Sequence, residues 1–330
     1  MDETKLERLL AEDERPVDTA AGLRRFRGSI ALGNAEAYRA PARRRWTQGL
    51  AAAAAVAALF AGLTITGVAD SFFTIFQPRQ VAPVSIGRAD LTGLPDLSQY
   101  GTLTIVTHPA YRQAATVDQA RADTGIAPLS PAALPAGVPA DSRIYAVSRG
   151  EATFRFDEAK LAAAAGQVSR TPPPMPPAIA ASTLNVSGGP AVVQSYGGSF
   201  DPKLDPKSDP RAMPAGLPAL LIAQSKAPVV RSDGATVDEL RAYMLAQPGI
   251  SPELAAQIRA IGDPAQTLLI PIPMDLASGK SVTVRGARGV FVGDSTGIGS
   301  AVVWVADGNV NVVAGSLAEK DLLAVADSLR

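Results

Sequence analysis

The 330-residue sequence contains no cysteine. Disulfides, thiolate metal sites and cysteine nucleophiles are therefore excluded. Its one histidine, His108, leaves little for metal binding or for acid–base chemistry near neutral pH. Neither sign of charge is in excess, because 31 Lys and Arg face 31 Asp and Glu. No general field draws nucleic acid, and none is expected as a partner. Proline is nearly absent from the first 76 residues, which hold two of the 27, and the other 25 exclude a long helical bundle afterwards. An exported domain remains compatible with this composition, since about 250 residues bury a sufficient core without covalent staples.

What charge there is lies unevenly. Residues 1–18 carry seven acids against three bases, and residues 19–46 carry seven arginines against the single acid Glu36. Directly after them, Trp46 to Ala69 form 24 residues without a charge, bounded by Arg45 and Asp70. As a helix this run is about 36 Å long, against about 30 Å of bilayer hydrocarbon. A transmembrane helix is the expectation. Arg39, Arg43, Arg44 and Arg45 precede it closely, whereas only Arg79 and Arg88 follow within twenty residues. The positive-inside rule then keeps the N-terminus cytoplasmic and places residues 77–330 outside. Trp46 at the inner boundary and Phe72, Phe73 and Phe76 at the outer one suit an interfacial belt. A cleaved leader is the alternative, because Gly67 and Ala69 fit the small-residue cleavage pattern, although 45 residues before the span is long for a signal.

Three regions follow: a short cytoplasmic helical segment at 1–45, the transmembrane helix and outer interface at 46–76, and an extracytoplasmic domain at 77–330. Leu6, Leu9 and Leu10 give the first segment a short apolar stripe among Glu3, Glu7, Asp13 and Glu14. In the outer domain Thr102–Val106 reads as a strand. Thr116-Val-Asp-Gln119 is a capping-box pattern for a helix ended by Gly125. Strands are expected at 144–147 and 152–156, paired through a turn at Arg149-Gly150. Residues 168–217, rich in Pro, Gly and Ser, read as an irregular insertion. Thr236-Val-Asp-Glu239 repeats the capping box, and the two Thr-Val-Asp phrases fit either a duplication or recurrent capping chemistry. Ser251-Pro252-Glu253 starts another helix, ended by Gly262.

The last fifty residues are the most legible. Val282 and Val284 alternate with polar neighbours, Gly289–Gly293 brackets a strand, and Ala301–Ala306 is a buried strand containing Trp304. Asp307-Gly308 is a hairpin turn signal leading to a strand with Val310 and Val312. Ser316-Leu-Ala-Glu319 reads as the cap of a terminal helix whose Leu322, Val325, Ala326 and Leu329 share one face. The fold class is α+β: an antiparallel-sheet ectodomain with packed helices, preceded by one transmembrane helix.

Motifs for chemistry are scarce. There is no G-x-S-x-G elbow, P-loop or H-E-x-x-H. Gly293-Asp-Ser-Thr-Gly297-Ile-Gly299 is glycine-rich but lies between strands and lacks a following lysine, so it reads as a hairpin loop. Asp201, Asp205 and Asp209 recur at spacing four within a proline-rich stretch, which does not match a calcium loop. No catalytic, cofactor-binding or metal residue is assigned, and no enzymatic activity or cofactor is expected.

Thr116-Val-Asp-Gln-Ala, the following Gly125-Ile126 and Pro131-Ala-Ala-Leu-Pro-Ala-Gly137 together resemble the start of an extracytoplasmic domain of unknown function. That domain occurs in bacterial single-pass membrane proteins, many of them anti-sigma-factor-like or sporulation-associated. The tryptophan-bearing strand, the acid-glycine turn and the closing helix through Leu329 resemble its end. The likeness covers about 40 residues at each end of the outer domain. It implies a bacterial envelope location and a regulatory role, and brings no catalytic residues. The cytoplasmic part departs from the commonest anti-sigma pattern, a zinc site of histidine and two cysteines, since residues 1–45 hold neither type. The expectation is a membrane-anchored extracytoplasmic sensor or regulator. Its partners would be the lipid bilayer, a cytoplasmic protein such as a sigma factor at residues 1–45, and an envelope ligand. The alternative is an anchored envelope binding or structural module with no signalling role.

Overall fold

The computed structural model describes residues 72–87, 90, 96–165, 172–198, 218–275, 277–294 and 299–330. All belong to one unit, Thr47–Arg330. The expected cytoplasmic segment and the 46–69 span fall outside the described residues. Among the described residues no helix is long and apolar enough to cross a membrane. The fold is α+β with mostly antiparallel sheets.

Its centre is a meander of four long strands that bend. Each strand has two halves: β3 (Gly101–Thr107) with β4 (Tyr111–Ala114), β5 (Ser142–Val147) with β6 (Gly150–Phe156), β7 (Thr183–Gly188) with β8 (Ala191–Tyr196), and β9 (Leu220–Lys226) with β10 (Val229–Ser232). Counting β1 (Phe73–Phe76), one set of halves forms a five-stranded sheet, β1-β10-β7-β6-β3. The other set forms the run β9-β8-β5-β4 within an eight-stranded sheet. The neighbours match in both sheets, so the breaks at 108–110, 148–149, 189–190 and 227–228 line up. Pro109, Pro190 and Pro228 stand at three of them; proline cannot donate to a ladder, which ends regular pairing there. Hydrogen bonds stitch the break line: Ser148 N–H donates to the Ala110 carbonyl at 2.8 Å, and Lys226 N–H donates to the Pro190 carbonyl at 3.0 Å.

The eight-stranded sheet continues through β15 (Asn309–Gly315), β14 (Ser300–Ala306), β13 (Ala287–Asp294) and β12 (Ala277–Val284). One face carries Trp304, Val302, Val313, Ile222 and Leu220 beneath α6 (Glu319–Ser328), whose Leu322, Val325 and Ala326 are buried with Leu329 just beyond it. On the other face, Val303, Val305, Val312 and Ala223 meet the parallel pair β2 (Gln80–Ile86) and β11 (Thr267–Pro273). A second core lies against the five-stranded sheet. There Phe154, Phe156 and Leu184 pack with Leu161 of α2 (Glu158–Ala165) and Ile179 of α3 (Pro177–Ala180). Leu240, Tyr243 and Met244 of α4 (Val237–Leu245) complete it.

Helix starts follow the caps. The Thr116 and Thr236 hydroxyls accept from the backbone of Gln119 and Glu239, opening α1 (Val117–Thr124) and α4. The Ser251 hydroxyl accepts from Leu254 N–H, opening α5 (Pro252–Arg259). Gly125 ends α1 in the left-handed region at φ 66°. The two Thr-Val-Asp helices lie on different sheets, α1 on the eight-stranded and α4 on the five-stranded one.

Four expectations need correction. β5 and β6 are not a hairpin; they belong to different sheets, and Arg149-Gly150 is part of the break between halves of one strand. Within 168–217, residues 183–196 form two interior strands, because Leu184 and Val186 supply one apolar face and Val192, Val193 and Tyr196 are buried. Ser316 does not cap the terminal helix, which starts at Glu319 with Ala318 as an N-cap lacking a side-chain bond. Glu319 instead pairs with Lys280 at 2.8 Å. Finally, Phe73 and Phe76 sit in β1, which pairs with β10, so the folded domain takes in part of the expected outer interface.

Candidate functional site

His108 lies exposed at the break between β3 and β4. The glycine-rich segment connects the antiparallel strands β13 and β14, and Asp294 closes it by accepting from Gly299 N–H through Oδ2 at 2.9 Å. Residues 295–298 and the aspartates between 201 and 209 fall outside the described residues. Among the described residues no three His, Asp or Glu side chains gather as metal ligands.

Two buried glutamines on neighbouring strands have a structural task. Gln224 accepts from Leu129 N–H at 2.6 Å, and Gln194 donates to the Leu129 carbonyl at 2.6 Å. Together they satisfy both backbone groups of one loop residue over an apolar sheet, where unpaired groups are costly. Ser130 and Arg330 extend the fastening by exchanging backbone hydrogen bonds at 3.0 and 3.1 Å. The proline-rich loop after α1 is thereby tied to Arg330.

Glu151 is different. It is the second residue of β6, beside the break line, is 3% exposed, and its Oε1 has no hydrogen-bond partner. Burial pushes its carboxyl above the ordinary glutamate value, while the Arg149 charge and a hydrogen bond from Thr107 pull the other way. Sequence alone does not reveal this residue, because an acid following a turn-like Arg-Gly reads as solvated.

The outward face of the five-stranded sheet is polar. Thr104, Thr153, Asn185, Arg231 and Thr74 stand in one cross-strand row spanning all five strands. Thr102, Arg155 and Thr183 form the next row. This face offers hydroxyl, amide and guanidinium groups in adjacent cross-strand rows, which suits binding through hydrogen bonds. Among the described residues these two rows hold no nucleophile–base pair. The alternation of threonine in Gly101–Thr107 is its sequence signal, but the partners from β6, β7 and β10 become visible only through register. No family model matches the chain, and no curated protein matches it.

Proposed function

We propose that this protein is a membrane-anchored extracytoplasmic sensor or regulator, possessing one transmembrane helix and a ligand-facing outer domain. The observation that carries the reading is the arginine cluster at 39–45 followed by 24 uncharged residues. Only Asp70, Ser71 and Phe72 separate the end of that run from β1. Three residues reach at most about 11 Å, so the outer domain is held against the membrane surface. Its function is recognition, through the polar sheet face, with residues 1–45 holding a cytoplasmic partner that resembles a sigma factor or another regulator in role.

Protease added to intact spheroplasts should digest the domain after residue 76 and spare the N-terminal 45 residues; protection of the C-terminal domain overturns the orientation. Deleting residues 1–20 removes the acidic segment with its Leu6, Leu9 and Leu10 stripe. Membrane pull-down should then lose the cytoplasmic partner, and transcripts of a defined gene set should change. If partners and transcripts stay the same, the protein is instead an anchored envelope binding module. The lack of histidine and cysteine in residues 1–45 favours that second reading, since it removes the zinc site common in anti-sigma segments.

A further inference from the structure

One end of the polar sheet face carries cations without acids to pair them. Arg155 of β6 and Arg231 of β10 both project from this face and are exposed. Lys160 of α2 reaches the same end, donating to the Gly101 carbonyl at 3.2 Å and to the Thr102 hydroxyl at 2.8 Å. Thr102 is the cross-strand neighbour of Arg155. Among the described residues none of these three cations is in an ion pair, whereas Arg112, Arg241 and Lys280 each are. The acids around this end are occupied or turned elsewhere. Asp233 accepts from Thr183 N–H at 2.6 Å, and Asp157 accepts from Ala159 and Lys160 N–H at the start of α2. Glu158 lies near Tyr243 of the core on the opposite face, and Glu151 is buried towards the break line.

Arg155 stands opposite Thr183 and Arg231 opposite Asn185, so the two arginines flank β7 with their Cα atoms about 12 Å apart. The Thr183 hydroxyl and the Asn185 amide lie between them. Guanidinium groups bind phosphate through paired N–H donors, and neighbouring hydroxyl and amide groups add further donors. The course of the chain indicates where phosphates are within reach. Thr74 of β1 stands opposite Arg231 and is five residues beyond Ala69, the end of the uncharged run. Five residues span at most about 18 Å and a cross-strand pair adds about 5 Å, so Arg231 lies within about 23 Å of that end. Phe73, beside Thr74, is 44% exposed, which suits an aromatic ring at headgroup level.

We propose that this end of the polar face, through Arg155, Arg231 and Lys160, rests on the phosphate headgroups of an anionic phospholipid leaflet. The proposal deepens the anchored reading and rests on it: the span supplies the tether, and the three cations decide which face turns to the lipid. Each basic side chain at an anionic surface favours the docked arrangement roughly fivefold, so three suffice to hold a tethered domain down. Salt should release it.

The absence of native cysteine permits a single-label test. Full-length chain bearing Thr104→Cys carries its one thiol on the same face, on β3 at the opposite edge of the sheet from β1. The chain is labelled there with a fluorophore and reconstituted in vesicles of phosphatidylcholine, alone or with phosphatidylglycerol, each holding a trace of lipid with a quencher on its headgroup. Quenching should be at least about fivefold greater with phosphatidylglycerol, and high salt should remove the difference. Arg155→Gln combined with Arg231→Gln should abolish the difference without changing circular dichroism, because both side chains are exposed, and Arg155→Lys with Arg231→Lys should retain most of it. Flotation with phosphatidylcholine vesicles at high salt reads the anchor alone. A chain that does not float overturns the anchored reading and this proposal with it. A chain that floats but is quenched alike in both lipids, or whose quenching is indifferent to the arginine pair, overturns the surface contact and leaves the anchor standing. A melting temperature raised by inorganic phosphate in phosphatidylcholine vesicles, through the same arginines, assigns the cations to a free anion and also overturns the lipid contact.

Discussion

Trp304 and Glu151 show two opposite outcomes of burial. Trp304 is 1% exposed beneath Leu322, Val325 and Ala326, with its strand paired on both sides. Trp304→Ala should cost about 3–5 kcal/mol in chemical denaturation, as large-to-small changes in packed cores do. Glu151 is nearly as buried, but it hides a carboxylate oxygen without a partner. Its folded-state affinity for a proton is raised by burial, so the folded chain keeps the proton to higher pH than the unfolded chain. The stability this residue contributes is present at low pH and is lost as pH rises from the ordinary glutamate range through the raised value. Glu151→Gln should therefore raise the melting temperature near neutral pH, and the gain should shrink as the pH is lowered towards the ordinary glutamate range. Melting curves of both proteins across that interval measure this. A destabilised Gln variant near neutral pH would mean that the charged form is the one the fold accommodates.

Among the helices and turns, the same local signal is reliable in some places and not in others. Thr236 and Glu239 form a reciprocal cap, with the Glu239 carboxylate accepting from Thr236 N–H at 2.8 Å. Thr236→Ala should cost about 1 kcal/mol, measured by urea unfolding. Ser316→Ala should cost far less, because the N-cap of α6 is Ala318 and not the serine that its sequence offers. Of the four Arg-Gly dipeptides in the sequence, those at 149–150 and 285–286 both follow a strand and read alike as turns. At 285–286 it forms a tight turn with φ 50° and 81°, joining β12 to β13. At 149–150 it lies in a strand bend, because the flanking halves find better partners in other strands than in each other. Turn chemistry permits a hairpin; pairing energy over the whole sheet decides whether one forms.

For the molecule as a whole, the proposed orientation in the membrane rests on charges outside the folded domain. Replacing Arg43, Arg44 and Arg45 with alanine should leave the fold after residue 72 unchanged but give mixed topology, read from protease accessibility of the two termini in membranes. The domain itself is held by long-range strand pairing. The β2–β11 pair joins residues 80–86 to 267–273, and the β1–β10 pair joins residues 73–76 to 230–232.

Residue identities sufficed for the exclusions and for the local grammar. Without cysteine there are no disulfides, Thr116, Thr236 and Ser251 start helices, Asp307-Gly308 turns a hairpin, and the terminal helix carries one apolar face. These depend on residues within a turn or two of one another, where steric and hydrogen-bond preferences act directly. Strand pairing was needed to establish that four strands bend along one line and serve two sheets. It likewise made residues 183–196 interior strands, buried Glu151, and set Thr104, Thr153, Asn185, Arg231 and Thr74 in one row. Each of these is a property of register between segments tens of residues apart. A one-residue slip would exchange every inward and outward side chain, so none of them is visible until the pairing is known.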